Sequence, residues 1–388
     1  MRRLRIPVLA MAGVMVLSAC GTSGPSGMLE ELGDGEGEVN LVIWGGYAER
    51  GEVDPAFDWV TPFEEDTGCI VNTTNMNSSA EGVQLLRGGG FDGGSFSGNA
   101  SVPLMLAGDV APVNTELLPN YENVFEGLKM QTHNSLDGVA YGAPHGRGPN
   151  LLMWNTEVIT EEPTTWDAIW EGASEYEGQV SIYGASDFIA DAAIHIMASD
   201  DDMGITNPYQ LTQEQFDAAL ALLEAQRDEG GAVYWDTYSD QVSGFASGDL
   251  VVGTTWQFMA NLLQAEGEPV QTTKPSEGTT GWSDTWMIAS DAEHPNCMYM
   301  WMNHMMSAEA NAQATIWFGE APTSPDACEA AESISEGHCD LTHATDEAYW
   351  ADVWYWATPR EDCGDDDDAT TCVDQDGWTE AWNNLRGI

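Results

Sequence analysis

Lysine is almost absent from this sequence. Lys129 and Lys274 are the only two, and Lys plus Arg number 11 against 64 Asp plus Glu, a net charge of −53. Without a basic stripe to displace the counterions of a polynucleotide, nucleic acid is excluded as a partner. Catalytic signatures are missing too: there is no G-x-S-x-G, no H-E-x-x-H and no P-loop. The seven histidines are scattered, none at metal-ligand spacing, and no CxxC pair supports a zinc site at His338 and Cys339. No enzymatic activity, metal or cofactor is therefore expected. There is no internal repeat, and after the first 20 residues no run is long and apolar enough to span a bilayer.

What is present begins with a leader. Residues 1–20, "MRRLRIPVLAMAGVMVLSAC", place Arg2, Arg3 and Arg5 ahead of a short apolar run, the pattern of a secretory signal. The ending "LSAC" resembles the bacterial lipobox, in which cleavage precedes the cysteine and its thiol carries lipid. Residues 1–19 then form the signal peptide, with Cys20 lipidated. The following "GTSGPSGMLEELGDGEGE" is a Gly-rich tether over 20–38. The expected location is the outer face of the cytoplasmic membrane or the periplasm.

Removing Cys20 leaves Cys69, Cys297, Cys328, Cys339, Cys363 and Cys372. An even count in an oxidising compartment suggests three disulfides. Closeness in sequence favours Cys328–Cys339 and Cys363–Cys372, leaving Cys69–Cys297. "DDDD" between the last pair lacks the ordered spacing and Gly turn of a calcium loop. Sixteen Trp and 43% apolar residues argue for a folded chain, so the charge is not a mark of disorder. Acids spread along the whole length read as a surface adapted to high salt, where screening relieves their repulsion.

The chain opens with strand "VNLVIW", helix "VDPAFDWVTPFEEDTG", strand "CIVNTTNM" and helix "SAEGVQLLRGGG", the start of a parallel sheet covered by helices. "HGRGPN", 145–150, reads as a hinge between lobes. "TTWDAIWEGASEYEGQVSIYG" suggests a helix, a turn and a strand. Thr212 and Gln215 form a capping box ahead of the apolar face Phe216, Ala219, Leu220 and Leu223. "GDLVVGTTWQFMANLL" is a strand running into a helix. "GWSDTWMIAS" is a further strand, and "CMYMWMNHMMSAEANAQATIWFG" one helix whose Met stripe is core packing.

Aromatic residues beside glycines or acids recur at the expected strand ends. They are Trp44 and Tyr47 in "WGGY", Trp235 and Tyr238 in "YWDTY", Trp256 in "TTWQ", and Trp282 with Asp284 in "GWSD". Strand ends of such sheets face the ligand crevice. Indole faces attract cations, and a carboxylate adds charge-assisted hydrogen bonds. Asp284 lies between Trp282 and Trp286 in an apolar run, where an unpaired acid is costly to bury. An organic ammonium is the partner it expects.

"KPSEGTTGWSDTWMIASDAEHPNCMYMWMNHMMSAEANAQ" closely resembles the C-terminal half of the spermidine/putrescine-binding proteins of ABC importers, with their P-x-E-G and W-x-D pattern. "LVIWGGY", "TWDAIWEGASEYEGQV" and "GDLVVGTTWQFMANLL" resemble further segments of that family. The resemblance covers about residues 39–325. It implies a two-lobed α/β periplasmic-binding fold of type II. Lobe one takes 40–143 and 284–325; lobe two takes 144–283, with 326–388 packed back on it. That topology puts Cys69 and Cys297 in one lobe. It implies ligand contacts from Tyr47, Trp256, Trp282 and Asp284. Asp187 stands in for one of two acids the family uses after its Y-x-G segment. "SFSGNAS", with Asn99, replaces the family's tyrosine pair. The expected function is that of a monomeric, lipid-anchored binding protein. It would capture a small cationic solute, a putrescine- or spermidine-like polyamine, and deliver it to an ABC permease. The alternatives are a binding protein for a quaternary amine or sugar and, less well supported, a secreted glycan-acting enzyme with paired carboxylates.

Overall fold

The computed structural model describes residues 27–171, 173–363 and 370–388. The proposed lipid-bearing Cys20 and the "DDDD" run lie outside the described residues. No helix among the described residues is long and apolar enough to cross a membrane.

The first sheet is built around β1 (Glu38–Trp44), which pairs in parallel with β2 (Ile70–Met76) and β3 (Gly93–Phe96). In β1, Val39, Leu41 and Ile43 point into one core with Trp59, Phe63 and Trp301. Val42 points to the opposite core, with Leu86, Phe96 and Leu104. Both faces are covered, which is why the strand is almost continuously apolar. The connecting helices are α1 (Val60–Thr67) and α2 (Ser79–Gly88). The Ser78 hydroxyl caps α2 by accepting from the Glu81 N–H. Next come α3 (Gly98–Ala107), a small hairpin of β4 (Ser135–Leu136) and β5 (Val139–Ala140), and β6 (Gly142–Pro144). Much later, β14 (Thr285–Ile288) enters between β3 and β6, antiparallel to both, to give the order β2-β1-β3-β14-β6.

The second sheet has the order β10-β9-β11-β8-β12. Its strands are β8 (Leu151–Asn155), β9 (Val180–Tyr183), β10 (Val233–Trp235), β11 (Val252–Thr255) and β12 (Val270–Thr273). Around it pack α4 (Phe188–Ser199), α5 (Gln213–Ala225), α6 (Tyr238–Ser247) and α7 (Gln257–Glu266). The capping box at α5 has formed in both directions, between Thr212 and Gln215. The helix runs on through a π turn to Gly231, left-handed at φ 61°.

Between the sheets lies a three-stranded ribbon of β7 (Gly148–Pro149), β13 (Thr279–Trp282) and β15 (Val353–Tyr355). The chain leaves the first sheet at Pro144 and joins the ribbon at Gly148; it leaves the ribbon at Trp282 and joins the first sheet at Thr285. The two crossings touch, since the His145 N–H donates to the Asp284 carbonyl at 2.8 Å. The molecule is thus a two-lobed type II periplasmic-binding fold, with Asp284 in the strip that joins its halves.

Three expectations need correction. The segment at Trp166 forms only a 3-10 turn, Trp166–Ala168, in place of a helix. Trp166, Ile169 and Trp170 are all buried in the second core, and the Trp166 N–H is taken by the Glu277 carboxylate at 2.8 Å. That bond satisfies the N–H of the turn's first residue, which has no partner within a helix, while Trp166, Ile169 and Trp170 are taken up by the second core. The Met-rich segment is two helices, α8 (Pro295–Met305) and α9 (Ala308–Phe318), because the Ser307 hydroxyl caps a new helix by accepting from the Ala310 N–H. The chain after 326 is not one extension of the second lobe. The helix α10 (Pro325–Ile334) packs on α9, and with α11 (His338–Leu341) and α12 (Glu347–Trp350) it forms a small core around Ala312, Cys328, Cys339 and Trp350. From Trp354 on the chain does return to the second lobe: Trp356 joins its buried core, Cys372 bridges to Thr212, and α13 (Gln375–Arg386) packs through Trp378 and Trp382.

The disulfides pair Cys69 with Cys297, Cys328 with Cys339, and Cys363 with Cys372, at Cα separations of 5.8, 5.9 and 5.8 Å.

Candidate functional site

Asp284 is 3% exposed, and its carboxylate is held from the first lobe. The Tyr47 hydroxyl, three residues past the end of β1, donates to Oδ2 at 2.8 Å. The Ser97 hydroxyl, at the start of α3, donates to Oδ1. Burial nevertheless holds the carboxyl above its ordinary pKa, against the two hydroxyl donors that favour the ionised form. The Trp44 indole N–H is buried near the same group without completing a hydrogen bond.

Behind Tyr47 lies His145, its ring stacked on the phenol at 4.1 Å and 21°. The Trp286 indole N–H donates to His145 Nδ1 at 3.1 Å. An indole only donates, so Nδ1 accepts and the imidazole proton is assigned to Nε2. That nitrogen is 3.2 Å from Glu320 Oε1. The Glu320 side chain is fully buried, and among the described residues neither of its oxygens completes a hydrogen bond. Burial, reinforced by the charge of Asp284, pushes its carboxyl above the usual range. Gly146 lies flat against that carboxyl, where an added Cβ would come within 2.5 Å.

A second acidic focus belongs to the other lobe. Asp187, immediately before α4, and Asp191, one turn into it, are both buried. Burial raises Asp187 to about 6 and Asp191 to about 7. Thr280 of β13 donates its hydroxyl to Asp191 at 2.8 Å, which anchors the acid to the central ribbon. Asp187 receives a long bond of 3.4 Å from the Asn99 side-chain amide of α3. Ser97 and Asn99 therefore reach the two foci from a single tripeptide. Its middle residue, Gly98, sits against the Trp356 carbonyl so closely that a Cβ would overlap it.

The aromatic residues divide. Trp256 and Trp282 are half-buried at the edge of the second core. The Trp256 indole N–H donates to Asn150 Oδ1 at 2.8 Å, and its ring meets Tyr183 at 5.6 Å and Trp356 at 6.3 Å. Trp282 lies over Gly148, which leaves no room for a side chain there. Trp235 is 2% exposed, donates to Thr254 and packs edge-on to Trp256. It supports that ring from the core and offers no free wall of its own. Tyr238 is half-exposed and packs against Phe258, away from either acidic focus. Trp286, the other indole beside Asp284, is fully buried beneath His145.

A cavity of about 480 Å3 opens elsewhere, lined by Arg147, Leu151, Gln257, Lys274 and Tyr349. Its cations, Arg147 and Lys274, are matched by the carboxylates of Glu162 and Asp340, and none of the candidate residues lines it.

The sequence profile of the bacterial extracellular solute-binding proteins matches residues 58–340, most of the chain. The chain belongs to this family. Its curated relatives include the putrescine/agmatine-binding protein of Pseudomonas aeruginosa, 20% identical over 68% of this chain and 75% of that one. The spermidine/putrescine-binding periplasmic protein 1 of Haemophilus influenzae is 21% identical over 74% and 75%. The fold is that of the spermidine/putrescine ABC transporter substrate-binding protein of Streptococcus pneumoniae, with TM-score 0.70 and 16% identity over 90% of this chain and 97% of that one. It is also that of an Agrobacterium tumefaciens binding protein crystallised with glucopine, with TM-score 0.64 and 15% identity over 90% and 99%. One scaffold thus serves different solutes, and the side chains of the cleft must decide among them.

In this solute-binding protein, sequence reasoning missed Glu320, His145, Ser97 and Asp191. Glu320 follows Gly319 at the end of α9 in a stretch with no aromatic neighbour pattern beyond "WFGE". Nothing local distinguishes it from the other acids. "SIYGASDFIAD" did contain Asp191, but only the turn of α4 shows that it faces inward with Asp187.

Proposed function

We propose that this solute-binding protein captures a short polyamine between its lobes, with Asp284 neutralising one ammonium and Asp187 with Asp191 the other. The observation that carries this reading is Asp284 itself. It is a buried acid at the lobe junction, oriented by Tyr47 and Ser97 with Trp44 alongside, and among the described residues no basic side chain bonds to it. Glu320 adds a second buried carboxyl, whose one nearby polar partner is the His145 imidazole at 3.2 Å. Two acidic foci joined through Ser97–Asn99, a span of about 7 Å of main chain, suit a ligand charged at both ends. The names of the two curated relatives agree with that chemistry.

Trp256 and Trp282 supply faces for the methylene chain and its charged ends, each contributing about 0.5–2 kcal/mol. The leader and "LSAC" support lipid attachment at Cys20 on the outer face of the membrane. Delivery to an ABC permease by a monomer completes the role. The acidic exterior fits work in concentrated salt.

Calorimetry against putrescine, spermidine, glycine betaine and maltose, at low and at molar salt, tests the reading. Saturable binding of a polyamine that persists at high salt is expected. Tighter binding of betaine or maltose than of either polyamine would overturn it.

A further inference from the structure

Asp167, His195 and Glu277 come from three distant segments: the 3-10 turn Trp166–Ala168, the last turns of α4, and the approach to β13. One ligand atom from each lies within 4.8 Å of the others. His195 is 7% exposed, and its Nδ1 has no hydrogen-bond partner among the described residues. That nitrogen faces both carboxylates, 3.9 Å from Asp167 Oδ1 and 3.8 Å from Glu277 Oε1.

These separations are too long for hydrogen bonds. They are close to the spacing a shared cation imposes: with bonds of about 2.1 Å, ligand atoms around a tetrahedral zinc stand roughly 3.4 Å apart. A buried polar atom left without a partner is costly unless something else meets it.

We propose that Asp167, His195 and Glu277 form a site for a divalent transition-metal ion, with zinc the best match. One imidazole and two carboxylates favour such an ion over calcium or magnesium, which take oxygen ligands almost exclusively. Two negative charges balance a dication. Glu277 is already oriented, its Oε1 accepting from the Trp166 N–H at 2.8 Å. Such outer bonds fix a ligand's direction. Asp167 is half-exposed, with 53% of its side chain open, which gives an ion a way in and leaves a position for water.

The consequence is structural. The ion ties the Trp166 turn to α4, the helix that carries Asp191, and to the segment that leads into Thr280. It thereby fixes the second acidic focus from behind, at a distance from the cleft. Scanning the sequence for histidine spacing could not reveal the site, since no two of its ligands are neighbours in the chain.

The test is titration of the chelator-treated, dialysed protein with zinc chloride in 1 M KCl. There the screening length falls to about 3 Å, which suppresses loose association with the acidic surface. One ion per chain is expected, with a rise in melting temperature. His195→Gln, Glu277→Gln and Asp167→Asn should each weaken uptake at least tenfold. Asp167 is exposed, so its variant will fold and keeps the test decisive if the buried ones do not. Cobalt should give a visible d–d absorption that Asp167→Asn alters. Zinc uptake that is unsaturable, or equal in the parent and in Asp167→Asn, would overturn the proposal in favour of scattered surface carboxylates.

Discussion

Replacing Asp284 by Asn removes charge while keeping shape. The amide carbonyl can still accept from the Tyr47 or the Ser97 hydroxyl, now at 2.8 Å and closer from the carboxylate. One of the two must turn elsewhere. The free protein should tolerate this well, because burial already disfavours the charged carboxyl, and the melting temperature should move little or rise. Binding should not tolerate it. Removing one partner of a buried charge pair costs about 2–5 kcal/mol. The lower half of that range applies here, because the amide still accepts a hydrogen bond and Glu320 remains nearby as a second charge. A loss of about 2–3 kcal/mol corresponds to roughly 30- to 150-fold weaker binding of putrescine. Calorimetry at molar salt, with circular dichroism to confirm folding, measures it. A loss below about threefold in a folded variant would refute the assignment of Asp284 to the ammonium.

Three other outcomes follow from the same geometry. Glu320→Gln fills the same volume without the buried charge, so it should raise the melting temperature of the free protein; polyamine affinity should fall about tenfold, and calorimetry with thermal melts checks both. The raised values of Asp187, about 6, and Asp191, about 7, set a pH dependence. Below those values the acids hold their protons in the free protein, so their contribution to its stability is complete below their unfolded pKa near 4 and is lost as pH rises through about 6 and 7. A cationic ligand needs them ionised, so its affinity should grow with pH, by up to about tenfold per unit below each value, and a flat profile from pH 5 to 8 would contradict their role. Finally, Cys69→Ser with Cys297→Ser opens a link across 228 residues. It should cost about 2–5 kcal/mol in denaturant unfolding, more than opening either of the short bridges.

The short-range signals in the chain translated faithfully into structure where the local physics was self-sufficient. The apolar run in "VNLVIW" gave β1, and the Thr212–Gln215 box started α5. Both depend only on neighbours in sequence. The Trp166 turn did not extend into the helix its pattern suggested: Trp166, Ile169 and Trp170 are all drawn into the second core, and Glu277, more than a hundred residues away, takes the turn's first N–H. Trp235 was legible as an aromatic next to an acid, yet its burial under Trp256 depends on the packing of β10 against α6 and α7.

By itself the sequence determined an acidic chain with aromatic residues and an acid at its strand ends, and its resemblance to the polyamine-binding proteins supplied the two-lobed fold and the binding role. Hydrophobic periodicity and the cysteine count are local properties, and they survive without coordinates. The sequence singled out Asp284 and Asp187, and only the tertiary structure placed Glu320 and Asp191 beside them. Among the 64 acids, Asp284, Glu320, Asp187 and Asp191 are buried beside partners from other segments, as is Asp92, which Asn40 and His294 hold in the first lobe. Desolvation is a property of the enclosing fold and cannot be read from one residue and its neighbours.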